Sequence, residues 1–202
     1  NYLLDVSTAA DFSSFVDGYE NAVAGNDTSE AVTGLSAGTL YYYRLASQNG
    51  GGVGPESTTN SQWTSPGQVA ASAYSTPTES GFQANWSATT GATNYLVDIA
   101  TDSGFTSLVS SDNVAGNTTS YSATGLSEGT RYYYRVRAQN AGGVGAYSAG
   151  EVAYTLSTEP STHAGSFTAT ATSGSTIDLS WTAATGADGY MILIRTGLSA
   201  PD

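Results

Sequence analysis

The stretch GTRYYYRVRAQNAGGVG occupies Gly129–Gly145, and a near copy, GTLYYYRLASQNGGGVG, occupies Gly38–Gly54. Apolar and polar side chains alternate along both, with Tyr132, Tyr134 and Val136 on one side of the backbone. An alternation of period two predicts a β-strand that buries one face. The asparagine and the glycines that follow predict a turn. The same strand and turn are therefore predicted at two places in the chain.

The repetition extends over the whole sequence. The run NYLLDVSTAADFSSFV from Asn1 matches NYLVDIATDSGFTSLV from Asn94, 93 residues later. The run IDLSWTAATGADGYMILIR from Ile177 matches FQANWSATTGATNYLVDIA from Phe82, 95 residues earlier. Self-similarity at a nearly fixed spacing is the signature of a repeat architecture. We therefore divide the chain into three repeats: the first is 1–65, the second is 66–156 and the third is 157–202.

The pattern inside the repeats predicts an all-β protein. Strand-like alternations such as Phe82, Ala84 and Trp86 recur. Clusters of Gly, Asn, Pro and Ser separate them at intervals of about 8–12 residues, which is typical of a β-sandwich. No segment sustains the period of 3.6 residues that a helix would require.

The order of aromatic residues in the second repeat resembles the fibronectin type III domain. Trp86 lies on the second predicted strand, Tyr95 on the third, and Leu126 shortly before Tyr132. The resemblance implies a seven-strand, immunoglobulin-like β-sandwich. It also implies a tyrosine corner, in which the Tyr132 ring fills the core and its hydroxyl bonds nearby backbone. The core residues implied for the three repeats are Trp86, Trp181, Leu35, Leu126, Tyr41, Tyr132, Tyr95 and Tyr190.

Only the second repeat carries all seven strands of that family. The first repeat corresponds to strands C to G, and the third to strands A to C. A partial sandwich leaves its core open. Two interpretations follow: the chain is a window of a longer array of tandem domains, or the incomplete repeats of neighbouring copies share a sandwich in a head-to-tail assembly.

The composition excludes several classes of partner. The chain has 17 acidic residues, five arginines, one histidine and no lysine, which gives a net charge of −12. Nucleic acids and anionic membranes are not expected as partners, because both require clustered cations. No apolar run approaches the roughly 18 residues of a membrane span. Cysteine is absent, so disulfides cannot form within the chain.

No catalytic or metal-binding pattern is found in the sequence. The one histidine, His163, lies in a Pro- and Ser-containing linker, which is a poor place to position a catalytic base. The glycine-rich stretches precede strands rather than helices, so they do not predict a phosphate-binding loop. The acidic loops lack the ligand spacing of a calcium loop. We expect no enzymatic activity, cofactor or metal.

Two sets of residues are candidates for surface contacts. Exposed aromatic rings stack on sugars, and Tyr42, Tyr133 and Trp63 are the candidates for binding a surface glycan. The segment YMILI of the third repeat is apolar on both faces of its predicted strand. Such a strand favours pairing, so Met191 and Leu193 are candidates for a protein interface.

Charged residues at matching positions predict cross-strand ion pairs. Asp98 and Arg135 fall on strands that are neighbours in fibronectin type III domains, and Asp5 and Arg44 repeat the arrangement. We expect both pairs on the outer, exposed face of the sheet, where each contributes roughly 0.2–1 kcal/mol.

Sequons for N-glycosylation form a further candidate feature. They occur at Asn26, Asn85 and Asn117. Of these, Asn26 and Asn117 are the candidate acceptors.

The resemblance implies a non-catalytic role outside the cell. Disulfide-free repeats with short linkers, rich in Ser, Thr and Gly, resemble those of bacterial surface and secreted proteins. The first hypothesis is a structural or adhesive repeat region that serves as a stalk, spacer or filament subunit of a larger protein. The alternative is an accessory linker or binding module of a secreted, polysaccharide-active enzyme whose catalytic domain lies outside this chain. Both place the chain at the cell surface or in the extracellular space.

Overall fold

The computed structural model describes residues 1–159, 162–187, 189–192 and 194. It contains two compact units, Asn1–Leu156 and Ser157–Asp202. The described residues form β-strands and no helix, and all the paired strands are antiparallel. The all-β prediction is confirmed. The repeat boundaries at 65/66 and 156/157 stay predictions.

Fifteen strands are numbered in chain order within the described residues. The first repeat contains β1 (Tyr2–Ser7), β2 (Ala22–Val23), β3 (Leu40–Asn49), β4 (Gly52–Glu56) and β5 (Asn60–Trp63). The second repeat contains β6 (Ala71–Thr78), β7 (Gly81–Trp86), β8 (Asn94–Ala100), β9 (Leu108–Ala115), β10 (Ser120–Thr124), β11 (Arg131–Asn140), β12 (Gly143–Val144) and β13 (Glu151–Tyr154). The third repeat contains β14 (Gly165–Ala171) and β15 (Ile177–Thr182).

The second repeat is a sandwich of two sheets. One sheet has the order β10-β7-β6, and the other has the order β12-β11-β8-β9 with β13 also paired to β11. One buried apolar cluster draws side chains from both sheets. Along β11 every second residue from Tyr132 to Asn140 is buried, as the alternation in the sequence predicts.

Aromatic rings join the two sheets of the second repeat. The ring of Phe82 on β7 lies 5.9 Å from that of Tyr134 on β11, and the ring of Trp86 lies 5.4 Å from that of Tyr95 on β8. The Tyr134 hydroxyl donates a hydrogen bond to a backbone carbonyl of β6. Burial raises the pKa of Tyr134 to about 12, so this hydroxyl is neutral throughout the ordinary pH range.

Tyrosine corners occur in both of the first two repeats. The Tyr132 hydroxyl accepts a hydrogen bond from the backbone N–H of Ser127 at 2.9 Å. The Tyr41 hydroxyl accepts one from Ser36, also at 2.9 Å. Both tyrosines are buried. Each ring contributes apolar area while its hydroxyl satisfies a turn donor that would otherwise have no partner.

The first repeat forms one sheet only. Its order is β2-β1-β3-β4, with β5 also paired to β3. Its buried cluster is small, with Leu4, Val6 and Tyr41 at its centre. Leu35 packs against this cluster and is half-buried, whereas its counterpart Leu126 is buried in the complete sandwich.

The third repeat is a two-stranded β14–β15 sheet in its described residues. Trp181 is half-buried and Tyr190 is exposed, so neither has the core burial expected from the sequence. The reason is that, in the part of this repeat that the structure describes, no second sheet covers the apolar face of the hairpin. Their rings still lie 5.5 Å apart, close to the spacing between Trp86 and Tyr95.

Candidate interaction surfaces

An apolar groove of about 660 Å³ crosses the sheet of the first repeat. Aromatic and aliphatic side chains of β1, β3 and β5 form its floor, and residues 27–30 contribute a polar rim. Three side chains of the floor are unusually exposed for their type: Tyr2 at 41%, Tyr43 at 38% and Leu45 at 42%. Contiguous exposed apolar surfaces of this size are uncommon on folded domains.

The second repeat shows what covers the same positions in a complete sandwich. The counterparts of Tyr2, Tyr43 and Leu45 in the sequence repeat are Tyr95, Tyr134 and Val136, all with 0% exposure. The β6–β7 hairpin lies over them, through the ring contacts of Phe82 and Trp86. The groove of the first repeat therefore corresponds in position to the surface that the β6–β7 hairpin covers in the second repeat.

The described residues of the first repeat also include no strand that corresponds to β10. Residues 29–33 match β10 of the second repeat in sequence, yet they form no strand. In the second repeat β10 pairs with β7. Ser120 lies opposite Asn85, and Thr124 lies opposite Gly81. The described first repeat has no strand equivalent to β7, so the backbone groups of residues 29–33 have no neighbouring strand to pair with.

The two predicted cross-strand ion pairs form, but they are not exposed. Arg135 Nη2 lies 2.9 Å from a carboxylate oxygen of Asp98, and Arg44 Nε lies 2.9 Å from one of Asp5. Asp98 has 2% exposure and Asp5 has 6%. The expectation of solvent-exposed pairs is wrong, because neighbouring side chains cover both carboxylates.

Aromatic rings provide this cover. The guanidinium of Arg135 lies 4.4 Å from the ring centre of Phe105 and 3.7 Å from that of Tyr147. The guanidinium of Arg44 lies 4.1 Å from the ring of Phe12. Phe12 and Phe105 occupy matching loop positions and share a left-handed backbone conformation, with φ of 57° and 56°. This conformation is unfavourable for phenylalanine, and it recurs where the ring stacks on the arginine.

Burial alone would raise the pKa of Asp98, but its partners outweigh that effect. The hydroxyl of Ser111 donates a hydrogen bond to the carboxylate at 2.7 Å, and Arg135 supplies a second bond and a positive charge. The resulting pKa of Asp98 lies below the usual value for aspartate. The ion pair therefore joins β8 to β11, and each charge is neutralised by a partner within the protein.

The three candidate glycan contacts do not share one sheet. Tyr42 and Tyr133 are half-buried on different sheets, on β3 and β11. The guanidinium of Arg131 lies 5.5 Å from the Tyr133 ring. Trp63 lines the apolar groove of the first repeat. A glycan site at these residues stays a prediction.

The candidate glycosylation and interface residues differ in accessibility. Asn26 and Asn117 lie in exposed turns. The Asn85 side-chain amide donates a hydrogen bond to the Ala73 carbonyl at 2.9 Å. Met191 is 86% exposed, and Leu193 lies outside the described residues. Modification and protein contact at these sites stay predictions.

Neither a metal site nor a membrane helix is found in the described residues. The histidine and acidic side chains there do not gather in any group of three that could hold a metal ion. The same residues include no helical stretch with the length and apolarity that a membrane crossing requires.

At the junction between the first two repeats, the backbone of one repeat lies in direct contact with the backbone of the other. A methyl group on Gly38 would overlap the carbonyl oxygen of Thr90, and one on Gly91 would overlap that of Gly38. Both glycines also have φ near +65°, which side-chain-bearing residues rarely adopt. Only glycine therefore permits this close approach.

The linker at the junction is hydrogen-bonded to both repeats. The Asn140 side-chain amide donates to the Thr64 carbonyl at 3.0 Å, and the Ser65 hydroxyl donates to the Gly142 carbonyl at 3.2 Å. On the first repeat, the Gly38 N–H donates to the Ser65 carbonyl at 2.8 Å. The pattern of strands and turns did not predict this junction. Gly38 recurs as Gly129 and Gly91 recurs as Gly186 at matching positions of the repeat, and this recurrence was the available signal.

A family comparison agrees with this architecture. Residues 64–153 match the family model of the fibronectin type III domain, over a span that contains both sheets of the second repeat. The matched segment, which is less than half of the chain, is similar to that family. Domains of this family are commonly structural or adhesive repeat modules, are typically non-catalytic and are often extracellular.

Several solved structures of fibronectin type III domains are similar to this chain. The FN1–FN3 domains of chicken CNTN1 are 17% identical with a TM-score of 0.41, over 77% of this chain and 56% of that one. A two-domain segment of chicken tenascin is 19% identical with a TM-score of 0.47, over 76% and 83%. A domain of the human KIAA0970 protein is 18% identical with a TM-score of 0.38, over 46% and 77%. A search of curated proteins found no significant match.

Proposed function

We propose that this chain is a non-catalytic structural repeat region that acts as a spacer, stalk or filament subunit of a bacterial surface or secreted protein. The observation that carries the proposal is the junction between the first two repeats. Its glycine contacts and its linker hydrogen bonds leave little freedom between two neighbouring sheets. A spacer needs this property, because flexible linkers let tandem domains collapse on one another.

Composition and family support an extracellular place for this spacer. Fibronectin type III domains are often extracellular and commonly structural. A chain without cysteine does not depend on the redox state of its surroundings. Its net charge of −12 keeps it soluble and disfavours adhesion to nucleic acid.

The test of the proposal is a distance distribution across the junction. Because the chain has no cysteine, spin labels can be placed on single introduced cysteines at the exposed positions Val53 and Leu108. An excess of unlabelled chain ensures that only distances within one molecule are measured. Pulsed electron paramagnetic resonance should give one narrow distribution, since the junction fixes one repeat against the next.

Two glycine variants provide the matched comparison. Gly38→Ala should broaden or shift the distribution, because its methyl group meets the Thr90 carbonyl. Gly34 also has a positive φ, but a methyl group there would meet nothing within 4 Å. Gly34→Ala therefore introduces backbone strain alone and should leave the distance distribution unchanged. A broad distribution in the unsubstituted chain would contradict a spacer function.

The accessory-module alternative stays a prediction from sequence. As a binding module the chain would require a glycan site, and the candidate rings Tyr42 and Tyr133 lie half-buried on separate sheets. We therefore place the structural role first.

A further inference from the structure

We propose that the outer face of the second repeat binds a carboxylate side chain in an acidic segment of a partner protein. The proposal goes beyond the structural role, and its surface lies within the two-sheet sandwich. At its centre is an excess of positive charge around Tyr147. The guanidinium of Arg135 lies 3.7 Å from the centre of the Tyr147 ring, and that of Arg137 lies 4.4 Å from it. Two cations therefore share one ring.

The strand period brings the two arginines to the same face of the sheet. They are two residues apart on β11, so their side chains leave the strand on the same side. The residues that alternate with them, from Tyr132 to Asn140, are buried, which places the arginines on the outer face. A tyrosine ring attracts a cation through its face. Because the N–H groups of a guanidinium lie in its own plane, stacking holds the arginine without using these donors.

One carboxylate balances these two cations. A carboxylate oxygen of Asp98 lies 2.9 Å from Arg135 Nη2. Among the described residues no carboxylate lies within ion-pair distance of Arg137. Its Nε is covered by neighbouring atoms and has no hydrogen-bond partner there. A covered polar group without a partner costs free energy. The charge of Arg137 is therefore uncompensated within the part of the chain that the structure describes.

The equivalent arginine of the first repeat binds two carboxylates. Arg44 Nε lies 2.9 Å from Asp5, and Arg44 Nη1 lies 2.6 Å from Glu56. The Glu56 side chain is 50% exposed, so this second carboxylate binds the arginine on the side that faces solvent. The five N–H donors of a guanidinium allow it to bind two acceptors at once.

The second repeat replaces both of the residues that set this balance. Glu56 corresponds to Tyr147, which is neutral, and Ala46 corresponds to Arg137, which adds a positive charge. At these positions the first repeat has two carboxylates for one arginine, whereas the second has one carboxylate for two arginines. A carboxylate from a partner restores the balance at the outer face of β11.

The neighbours of Arg137 favour a polypeptide as the source of this carboxylate. Leu96 lies directly opposite Arg137 in the β8–β11 register and is half-buried. Val144 lies opposite Gln139 and is 39% exposed. Protein interfaces combine apolar contacts of this kind with arginine. The surface therefore matches a segment that carries both acidic and apolar side chains.

Two other sources of a carboxylate fit this surface less well. Acidic sugars stack on open aromatic faces, but guanidinium groups already lie over the rings here. Arg135 lies over Phe105 and Tyr147, and Arg131 lies over Tyr133. Polyanions of dense charge are repelled by the net charge of −12. A single carboxylate among apolar residues has neither disadvantage.

An NMR titration of the whole chain detects such a contact residue by residue. A single charge contact at a surface is weak, and NMR spectra report weak binding directly. The probe is a short, end-capped peptide in which glutamate alternates with valine, and its control has glutamine in place of glutamate. The glutamate peptide should shift the side-chain Nε–Hε resonances of Arg135 and Arg137. The glutamine peptide should leave them unshifted.

Two variants with the same change of charge locate the site along β11. Arg137→Gln should weaken binding of the glutamate peptide at least about tenfold, because it removes the uncompensated cation. Arg131→Gln is the matched control, since Arg131 lies on the same strand roughly 20 Å from Arg137. It should change the dissociation constant by less than about twofold.

A second pair of variants retains both arginines, so that lost binding is not confused with a misfolded chain. Tyr147→Glu places a carboxylate where the first repeat has Glu56, and this carboxylate should occupy the arginines from within the chain. Tyr147→Gln removes the same ring without adding a charge. The Tyr147→Glu chain should therefore bind the glutamate peptide several-fold more weakly than the Tyr147→Gln chain. Equal affinities would contradict a carboxylate site at this position.

Three further results would overturn the proposal. The first is the absence of shifts at Arg135 and Arg137, or equal shifts with the two peptides. The second is an equal loss of affinity in Arg137→Gln and Arg131→Gln. The third is tighter binding of a galacturonate oligosaccharide than of the glutamate peptide, which would assign the surface to an acidic polysaccharide. The distance across the junction is measured independently, so none of these results bears on the spacer function.

Discussion

Asp98 shows how a single residue acquires a role that its position in the sequence does not reveal. It faces the outer side of the sheet, yet it is 2% exposed, because Ser111, Arg135 and the rings stacked on that arginine enclose it. Buried carboxylates persist only when they are paired and hydrogen-bonded. Asp5 repeats the arrangement with Arg44.

Replacement of Asp98 by asparagine should destabilise the second repeat by about 2–4 kcal/mol at neutral pH, since Arg135 loses its partner in a largely enclosed site. Urea unfolding measures the change. The lowered pKa of Asp98 in the folded state means that its carboxylate stabilises the fold above the unfolded pKa of about 3.9. This contribution is lost as the pH falls through the lower, folded pKa. The difference in unfolding free energy between Asp98→Asn and the unsubstituted chain should therefore decrease in acid.

The control for Asp98→Asn is Glu79→Gln, which also removes one negative charge, at an exposed position. It should change the stability by less than about 0.5 kcal/mol. A difference between Asp98→Asn and the unsubstituted chain that stayed constant down to about pH 2 would contradict the role assigned to the carboxylate.

At the scale of elements, the same sequence pattern gives a strand in one repeat and none in another. Residues 120–124 form β10, whereas the matching residues 29–33 are not assigned to a strand. The difference does not lie in local propensity, because a strand is stabilised by its neighbour. β7 is that neighbour in the second repeat.

Hydrogen exchange of the dilute chain should distinguish these two segments. The amides of 120–124 should exchange more slowly than those of 29–33 by at least about 100-fold, since only the former are held in a ladder. Mass spectrometry of short peptides measures both in one sample. Equal protection of the two segments in dilute solution would contradict this account.

At the scale of the whole molecule, one sign of charge dominates. The net charge of −12 makes two copies of the chain repel each other. The rim of the groove in the first repeat includes Asp27 and Glu30. Close approach of a second anionic copy to this groove is therefore unfavourable.

The sequence alone determined the strand pattern and the repeat. Tyr132, Tyr134 and Val136 alternate with polar residues, and that period of two is a local property that any sheet must satisfy. The tyrosine corner was implied by the resemblance to the fibronectin type III domain, and its hydrogen bond spans only five residues. Both could be predicted without knowing how the sheets pack.

Only the tertiary structure decided which of these side chains are covered. Tyr43 and Tyr134 have the same sequence environment, yet one is 38% exposed and the other is fully buried. Likewise, the role of Gly38 depends on its approach to Gly91, 53 residues away in the chain. Burial and close approach depend on contacts between distant segments, and a local pattern contains no information about which distant segment is present.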